Sequence, residues 1–302
     1  MNFESAIEWI LALQEAGGEF GATFFKTVTF LGDQEFYLLL FPLLFWCIDT
    51  KLGIRVAVAY LLSTILNVAL KDLIGQPRPF EINPAVGLID EYGRGMPSNH
   101  AQATSIIFGI LAYHLKKPWG WGVAVLITLL VGFSRIYLGV HFPAQVLVGW
   151  ALAIALLVIY ISFLDQVEAW LAQRSFVQHV AMATILAALI LIGLGANGDI
   201  VAATAVLWAM WCGVALLRAL DITFYNTDGT VLQRVGRFIL GAVVVFIIFG
   251  GLRAIFPDEG EPFYAVMRFV RYGLVGLFVS LGGPWLFTKV GLSSNRTLAA
   301  AD

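Results

Sequence analysis

FSRIYLGVHFPAQVLVG, residues Phe133–Gly149, sets an arginine, Arg135, and a histidine, His141, six residues apart at the junction of two apolar runs. Ionisable side chains at the edge of a membrane span are costly to hold there, so they are read first as functional groups whose partners lie elsewhere in the chain. Those partners stand upstream: Lys71 and Arg78 in KDLIGQPRP (residues 71–79), then Ser98 and His100 in MPSNH (residues 96–100).

The surroundings are those of an integral membrane protein. The 302 residues are 60% hydrophobic and only 13% charged, with a mean hydropathy of +0.85. That leaves too few polar side chains to coat a water-soluble globule of this size. Apolar stretches recur near the ~20 residues that a helix needs to cross a bilayer, without the alternating period of a membrane barrel. The fold class is therefore all-α, a polytopic transmembrane helical bundle. A net charge of −2 gives no sign of a nucleic-acid partner. Cys47 and Cys212 are isolated in apolar runs and read as buried small hydrophobes. The acidic start MNFESAIEWI has neither a basic leader nor a small-residue cleavage site, and is not expected to be a cleaved signal peptide.

Taken in order, Phe3 to Gln14 mixes apolar residues with Glu4 and Glu8 and reads as an interfacial helix, broken at Gly17 and Gly18. About nine spans are expected after it: 34–48, 52–74, 98–115, a helix reaching Ser134, 141–164, 176–194, 200–220, 231–252 and 263–290. The loop from Gly75 to Pro97, rich in Pro and Gly, reads as irregular backbone. Ser98 is the expected N-cap of the helix that follows. The coarse division is a motif-bearing bundle over residues 1–165 and a further C-terminal bundle over 166–302, whose glycines (Gly193, Gly195, Gly241, Gly250, Gly251) suit close helix packing, as scaffold or in a homo-oligomer contact.

Alternating the spans through the membrane puts Lys71, Ser98, Arg135 and His141 on one face. The opposite face receives Lys51, Arg55, Lys116, Lys117, Arg174, Arg218, Arg234, Arg237, Lys289 and Arg296. By the positive-inside rule that face is cytoplasmic, and the motif face is expected to be periplasmic or otherwise extracytoplasmic.

Three cations and two histidines converging on one region suit a phosphate ester. Guanidinium forks match its oxygens, and the N-terminus of the Ser98 helix adds backbone N–H groups and a favourable dipole. One neutral imidazole can attack phosphorus while the other protonates the leaving alkoxide.

Lys71-x6-Arg78-Pro79, Pro97-Ser98-x-His100 and Ser134-Arg135-x5-His141 resemble the three signature motifs of the type 2 phosphatidic acid phosphatase superfamily, over roughly Leu31 to Tyr160. The resemblance implies His141 as the nucleophile, forming a phosphohistidine, and His100 as the general acid. It implies Lys71, Arg78, Ser98 and Arg135, with Asn99 beside them, as the phosphate-binding set, and neither a metal nor another cofactor. Two positions depart from the family pattern. Gln145 stands where an aspartate usually orients the nucleophile, and Asn99 where glycine is usual. Glutamine also occurs there in the glucose-6-phosphatase and dolichyl-diphosphatase types, and its carbonyl accepts the same N–H bond without bringing charge.

The function so implied is hydrolysis of a membrane lipid phosphate or diphosphate, with an isoprenoid diphosphate or a glycerolipid phosphate as substrate, drawn from the bilayer. The alternatives are a lipid phosphotransferase and a non-catalytic phospholipid binder or transporter that keeps the anion cradle.

Overall fold

The computed structural model describes residues 2–220 and 227–293, and every regular element among them is helical. In order they are α1 (Phe3–Thr29), α2 (Gln34–Leu43), α3 (Thr50–Ile74), the single turn α4 (Pro79–Ile82), α5 (Asn99–Leu115), α6 (Pro118–Tyr137), α7 (Pro143–Ala172), α8 (Phe176–Leu194), α9 (Gly198–Ala219), α10 (Val231–Ile255), α11 (Tyr264–Leu277) and α12 (Gly283–Lys289). Short π-turns extend α2 over Leu44–Ile48 and join α11 to α12 over Phe278–Gly282.

Seven of these stretches are long and apolar enough to cross a membrane, and an eighth counts if Phe3–Gly32 and Gln34–Ile48, bent by 49°, form one span. The expected nine is not reached, for a reason of length. The 17 residues of α5 extend about 25 Å and the 10 of α2 less, short of a hydrocarbon core of about 30 Å.

The chain folds as two compact units. Leu62–Ser162 joins the chain up to Leu38, whereas Leu39–Leu61 joins the chain from Phe163 onward.

In the first unit the glycine pair does not end the N-terminal helix. Gly18 takes φ 54°, ψ −152°, and α1 kinks there and continues. The conformation belongs to the left-handed half of the map that glycine enters without steric cost. Nor does α1 only lie in an interface. Ala6, Ile7 and Ile10 are buried with Val86, Ala101, Ile136, Phe142 and Val146, and Gln14 Nε2 donates to the carbonyls of Val86 (2.8 Å) and Tyr137 (2.7 Å). Gly17 and Gly21 form a notch for the Tyr137 ring, whose hydroxyl donates to Gln14 O and Gly18 O (3.3 Å each). A side chain at either glycine would overlap that hydroxyl.

A buried polar network joins α3 to α5. Asn67 Nδ2 donates to Gln102 Oε1 (2.7 Å), and Gln102 Nε2 donates to Ser63 Oγ (2.8 Å) and Ser63 O (3.1 Å). Ser63 and Asn67 stand four residues apart, on one face of α3.

The second unit is built around Trp46, which is fully buried. Its ring meets Phe278 and Phe287 edge-on and lies against Gly241, while its Nε1 donates to Val279 O (2.9 Å). Of the glycines expected to pack helices here, Gly241 does so. Gly193, Gly195, Gly250 and Gly251 face open space, and the close approaches are made instead by Gly213 against Ser280 and Gly276 against the Val206 backbone.

Arg237 is not a surface cation. It is fully buried and donates to the carbonyls of Trp46, Thr227 and Asp228, so packing rather than membrane charge sets its position. Lys51 and Arg55 both pair with Glu168, Arg55 through two bonds of 2.7 Å. Arg296 lies outside the described residues. An apolar cavity of about 520 Å³ opens between Ile248, Leu252, Leu274 and Phe278.

Gly21→Val forces the Tyr137 hydroxyl out of its notch and is expected to cost about 1–3 kcal/mol through overpacking, read as earlier thermal inactivation in detergent. Gly122→Val, where nothing lies within 4 Å of an added Cβ, is the matched control and should leave the transition in place.

Candidate active site

The turn between α6 and α7 holds His141 in place. Gly139, at φ 72°, lies so close to Val86 O that a Cβ would overlap it, and Leu88 N donates to Leu138 O (3.1 Å). The turn closes on itself through Val140 N and His141 N, both donating to Arg135 O. Arg135, in the last turn of α6, and His141 are thereby tied by backbone as well as by sequence.

His141 is 1% exposed, and its tautomer follows from the amide beside it. Gln145 Nε2 donates to Pro77 O (2.8 Å) and Gln76 Oε1 (2.9 Å). Its Oε1 must then face the other way, where it accepts from Phe142 N and meets His141 Nδ1, both at 3.1 Å. An amide carbonyl only accepts, so the ring proton sits on Nδ1 and Nε2 carries the lone pair. That lone pair receives Arg78 Nη1 at 3.1 Å. Gly95 makes room for this amide, since a Cβ there would stand 2.5 Å from Gln145 Nε2.

Arg78, also 1% exposed, is held by backbone. Its Nε donates to Gly93 O (2.7 Å), Nη2 to Tyr92 O (2.8 Å) and Nη1 to Val140 O (3.0 Å). Arg135 Nη1 donates to Thr29 Oγ1 (2.7 Å) and its Nη2 to Glu91, whose other oxygen is 3.9 Å from Arg78. Lys71, half-buried in the last turn of α3, joins these two arginines in setting the field at His141. Burial first, then the charges of Arg78, Arg135 and Lys71, hold the His141 imidazole well below its ordinary 6.5, against the pull of the Gln145 bond.

The start of α5 completes the group. Ser98 occupies the N-cap position, but its hydroxyl makes no capping bond. It is fully buried, and Ser98 Oγ, Asn99 Oδ1 and Arg135 Nε are, among the described residues, buried side-chain atoms with no hydrogen-bond partner. Ser98 N donates to Gln145 O (3.0 Å), an approach that Gly149 permits because a Cβ there would stand 2.7 Å from Ser98 O. His100 lies in the first turn of α5, with its Nε2 2.8 Å from Asp33 Oδ1. All eight expected site residues thus lie in the first unit. Buried donors without acceptors are costly in an apolar interior, and Ser98 Oγ and Arg135 Nε suit an anionic oxygen ligand. Among the described residues no three His, Cys, Asp or Glu side chains cluster as metal ligands.

Thr29, Asp33, Gln76 and Glu91 were not singled out by sequence pattern. Each is a common polar residue in a loop or turn, and only the contact with a motif side chain distinguishes it. Arg94, in the loop between Gly75 and Pro97, is exposed.

Residues 52–169 match the PAP2 superfamily, and residues 201–296 match the PAP2 superfamily phosphatase transmembrane extension. Residues 52–169 thus belong to the PAP2 superfamily. It is 33% identical over 149 residues to mouse (Mus musculus) sphingosine-1-phosphate phosphatase 1, covering 46% of this chain and 34% of that protein. It is 34% identical over 122 residues to an undecaprenyl-diphosphatase of Sulfolobus acidocaldarius, covering 39% and 56%. The chain spans about a third of the length of the sphingosine-1-phosphate phosphatases it matches. A solved structure of a transmembrane PAP2 type phosphatidylglycerolphosphate phosphatase from Bacillus subtilis aligns with a TM-score of 0.48 at 27% identity, over 54% of this chain and 86% of that one.

The unfolded chain binds a proton at His141 more readily than the folded one does. This ring's contribution to stability is therefore present above about pH 6.5 and is lost as the pH falls toward the folded value. With four histidines in the chain, ring NMR of labelled protein resolves the site. His141 should stay neutral, with the proton on Nδ1, as the pH is lowered through 6.5. Gln145→Leu should mix its tautomers. An imidazolium signal at His141 in the ordinary range would contradict the assignment.

Proposed function

We propose that this chain is a lipid phosphate or diphosphate phosphatase that works through a phosphohistidine on His141, at the extracytoplasmic face of its membrane. The observation that carries the reading is the setting of His141: buried, with Nδ1 3.1 Å from Gln145 Oε1 and Nε2 3.1 Å from Arg78 Nη1, where burial and the neighbouring cations favour the neutral ring. This is a nucleophile prepared for an electrophile that brings negative oxygens to the same guanidinium.

In the first step the Nε2 lone pair attacks phosphorus and the P–O bond to the lipid breaks. The leaving alkoxide takes a proton from His100. In the second step His100 takes a proton from water, the resulting hydroxide attacks phosphorus, and the P–N bond breaks to return neutral His141. Lys71, Arg78, Arg135 and the Ser98 hydroxyl hold the equatorial oxygens through both steps, with Asn99 at the same helix N-terminus. Phosphoryl transfer asks of a protein mainly this kind of positioning and charge stabilisation. Gln145 fixes the tautomer without neutralising the ring, which leaves the phosphorylated imidazole a good leaving group.

Glu91 stands on the donors that a phosphate would use, Arg135 and Arg78. Substrate therefore displaces a carboxylate from the two guanidiniums on entry. The substrate class is supported by the named relatives, which act on sphingosine 1-phosphate and undecaprenyl diphosphate. The arrangement of basic residues on the opposite helix ends supports the assignment of the face.

Purified protein in detergent with chelator should release inorganic phosphate from a panel of lipid phosphates and diphosphates. His141→Ala should reduce the rate to background. Release should persist below pH 6.5, because the nucleophile remains neutral there. If lipid phosphate binds saturably and is not turned over, the chain is a binder. An acceptor-dependent phosphorylated lipid would mark a phosphotransferase.

Glu91→Gln removes the competing charge and should lower the concentration of inorganic phosphate needed for half-inhibition by several-fold. An unchanged value means that the carboxylate and the phosphate do not share donors.

A further inference from the structure

The residues matched by the PAP2 superfamily begin at 52, yet the turn that leads from α1 to α2, Thr29–Asp33, touches two motif side chains. Asp33 Oδ1 lies 2.8 Å from His100 Nε2. Thr29 Oγ1 accepts from Arg135 Nη1 at 2.7 Å. Between them Gly32 lies flat against the imidazole, where a Cβ would stand 2.5 Å from His100 Cδ2 and 3.0 Å from Cγ. None of these contacts is needed to close the turn, which its own backbone does through Asp33 N donating to Phe30 O (3.1 Å).

We propose that this turn completes the active site and that Asp33 is the positioning residue for His100. The proposal rests on the phosphatase reading and adds a group to it. A carboxylate only accepts, so it commits the His100 Nε2–H to itself. The other ring nitrogen, Nδ1, is then the atom that gives its proton to the leaving lipid alkoxide and later takes one from the attacking water. No further oxidant, metal or co-reactant enters these transfers.

A carboxylate also offsets the positive charge that a ring carries when it holds both protons, which the amide carbonyl of Gln145 does not. The two histidines thus receive different partners suited to different tasks. The nucleophile has a neutral orienter, and the acid has a charged one. The carboxylate that the signature places beside the nucleophile is absent here, and one is found instead beside the acid, on a segment outside the matched residues.

The test uses the full chain and two substrates that differ in their need for an acid. A long-chain alkyl phosphate has a leaving group that must be protonated, whereas 4-nitrophenyl phosphate leaves readily without a proton. Because the hydrolysis of the phosphohistidine is common to both esters, the comparison is made on kcat/KM, which reports only the steps through P–O cleavage. Asp33→Ala should lower kcat/KM on the alkyl ester about 100-fold, at the lower end of what a general acid supplies, and on the aryl ester less than about 10-fold. Gly32→Ala, which leaves the carboxylate in place but displaces the ring, should show the same preference for the aryl ester. Equal losses on both esters would mean a structural role and overturn the proposal.

Asp33→Asn keeps the shape and an acceptor oxygen while removing the charge. It should fall between wild type and Asp33→Ala on the alkyl ester, which keeps the test usable if Asp33→Ala does not fold. Ring NMR supplies a readout independent of turnover. His100 should carry a proton on Nε2 in the wild type and lose that preference in Asp33→Ala, and a wild-type ring without it would overturn the assignment. If the wild type releases no phosphate from any substrate, the phosphatase reading fails, and the NMR result still decides whether Asp33 holds His100.

Discussion

Holding three cations and a neutral imidazole together in an apolar bundle is the constraint on which the first unit depends. A buried guanidinium is tolerated only when its donors are engaged, and breaking a buried pair costs about 3–5 kcal/mol. Arg78 meets this demand with the carbonyls of Gly93, Tyr92 and Val140, drawn from two separate loops. The backbone of the Gly75–Pro97 connection is folded around that one side chain. Arg135 is engaged differently, by a hydroxyl from the α1–α2 turn and by the Glu91 carboxylate. The loops and the site are thus stabilised by the same bonds, and neither arrangement is independent of the other.

Small residues make those bonds reachable. Gly95 lets the loop lie on the Gln145 amide, Gly149 lets the start of α5 reach the start of α7, and Gly32 lets the turn before α2 lie on His100. In each case the neighbour on the other side is a motif side chain or the backbone of a motif residue. Close approach of backbone to a functional group is one of the uses to which glycine is suited, and here it recurs at three separate places around a single site.

Charge is distributed unevenly over the two histidines. His141 is surrounded by cations and an amide, which favours the neutral ring. His100 faces a carboxylate. Environments that differ in this way let two copies of one residue type take different parts in a reaction. The Gln145 amide belongs to this pattern. Its Nε2 already serves two acceptors, so the position is built for an amide with both a donor and an acceptor end. A carboxylate there would leave Pro77 O and Gln76 Oε1 facing another acceptor.

The amino-acid sequence by itself determined the helical membrane class, through the length and apolarity of its runs, and marked Lys71, Arg78, Ser98, His100, Arg135 and His141 as polar groups at the edges of apolar runs, where such side chains are rare enough to stand out. Asn99 and Gln145 entered only through the resemblance of the motifs. The sequence did not determine the continuation of α1 through Gly18, which depends on the notch around Tyr137, nor the burial of Arg237, whose acceptors are carbonyls invisible to any residue pattern. It did not reveal Asp33 or Glu91, because a carboxylate in a polar turn is ordinary until a specific partner stands within bonding distance. Periodicity and spacing report which face of an element is apolar and which residues are out of place there. Only the packed chain decides which distant backbone atoms and turn residues satisfy them, because those contacts join segments separated by 44 to 123 residues and are selected by geometry rather than by local sequence.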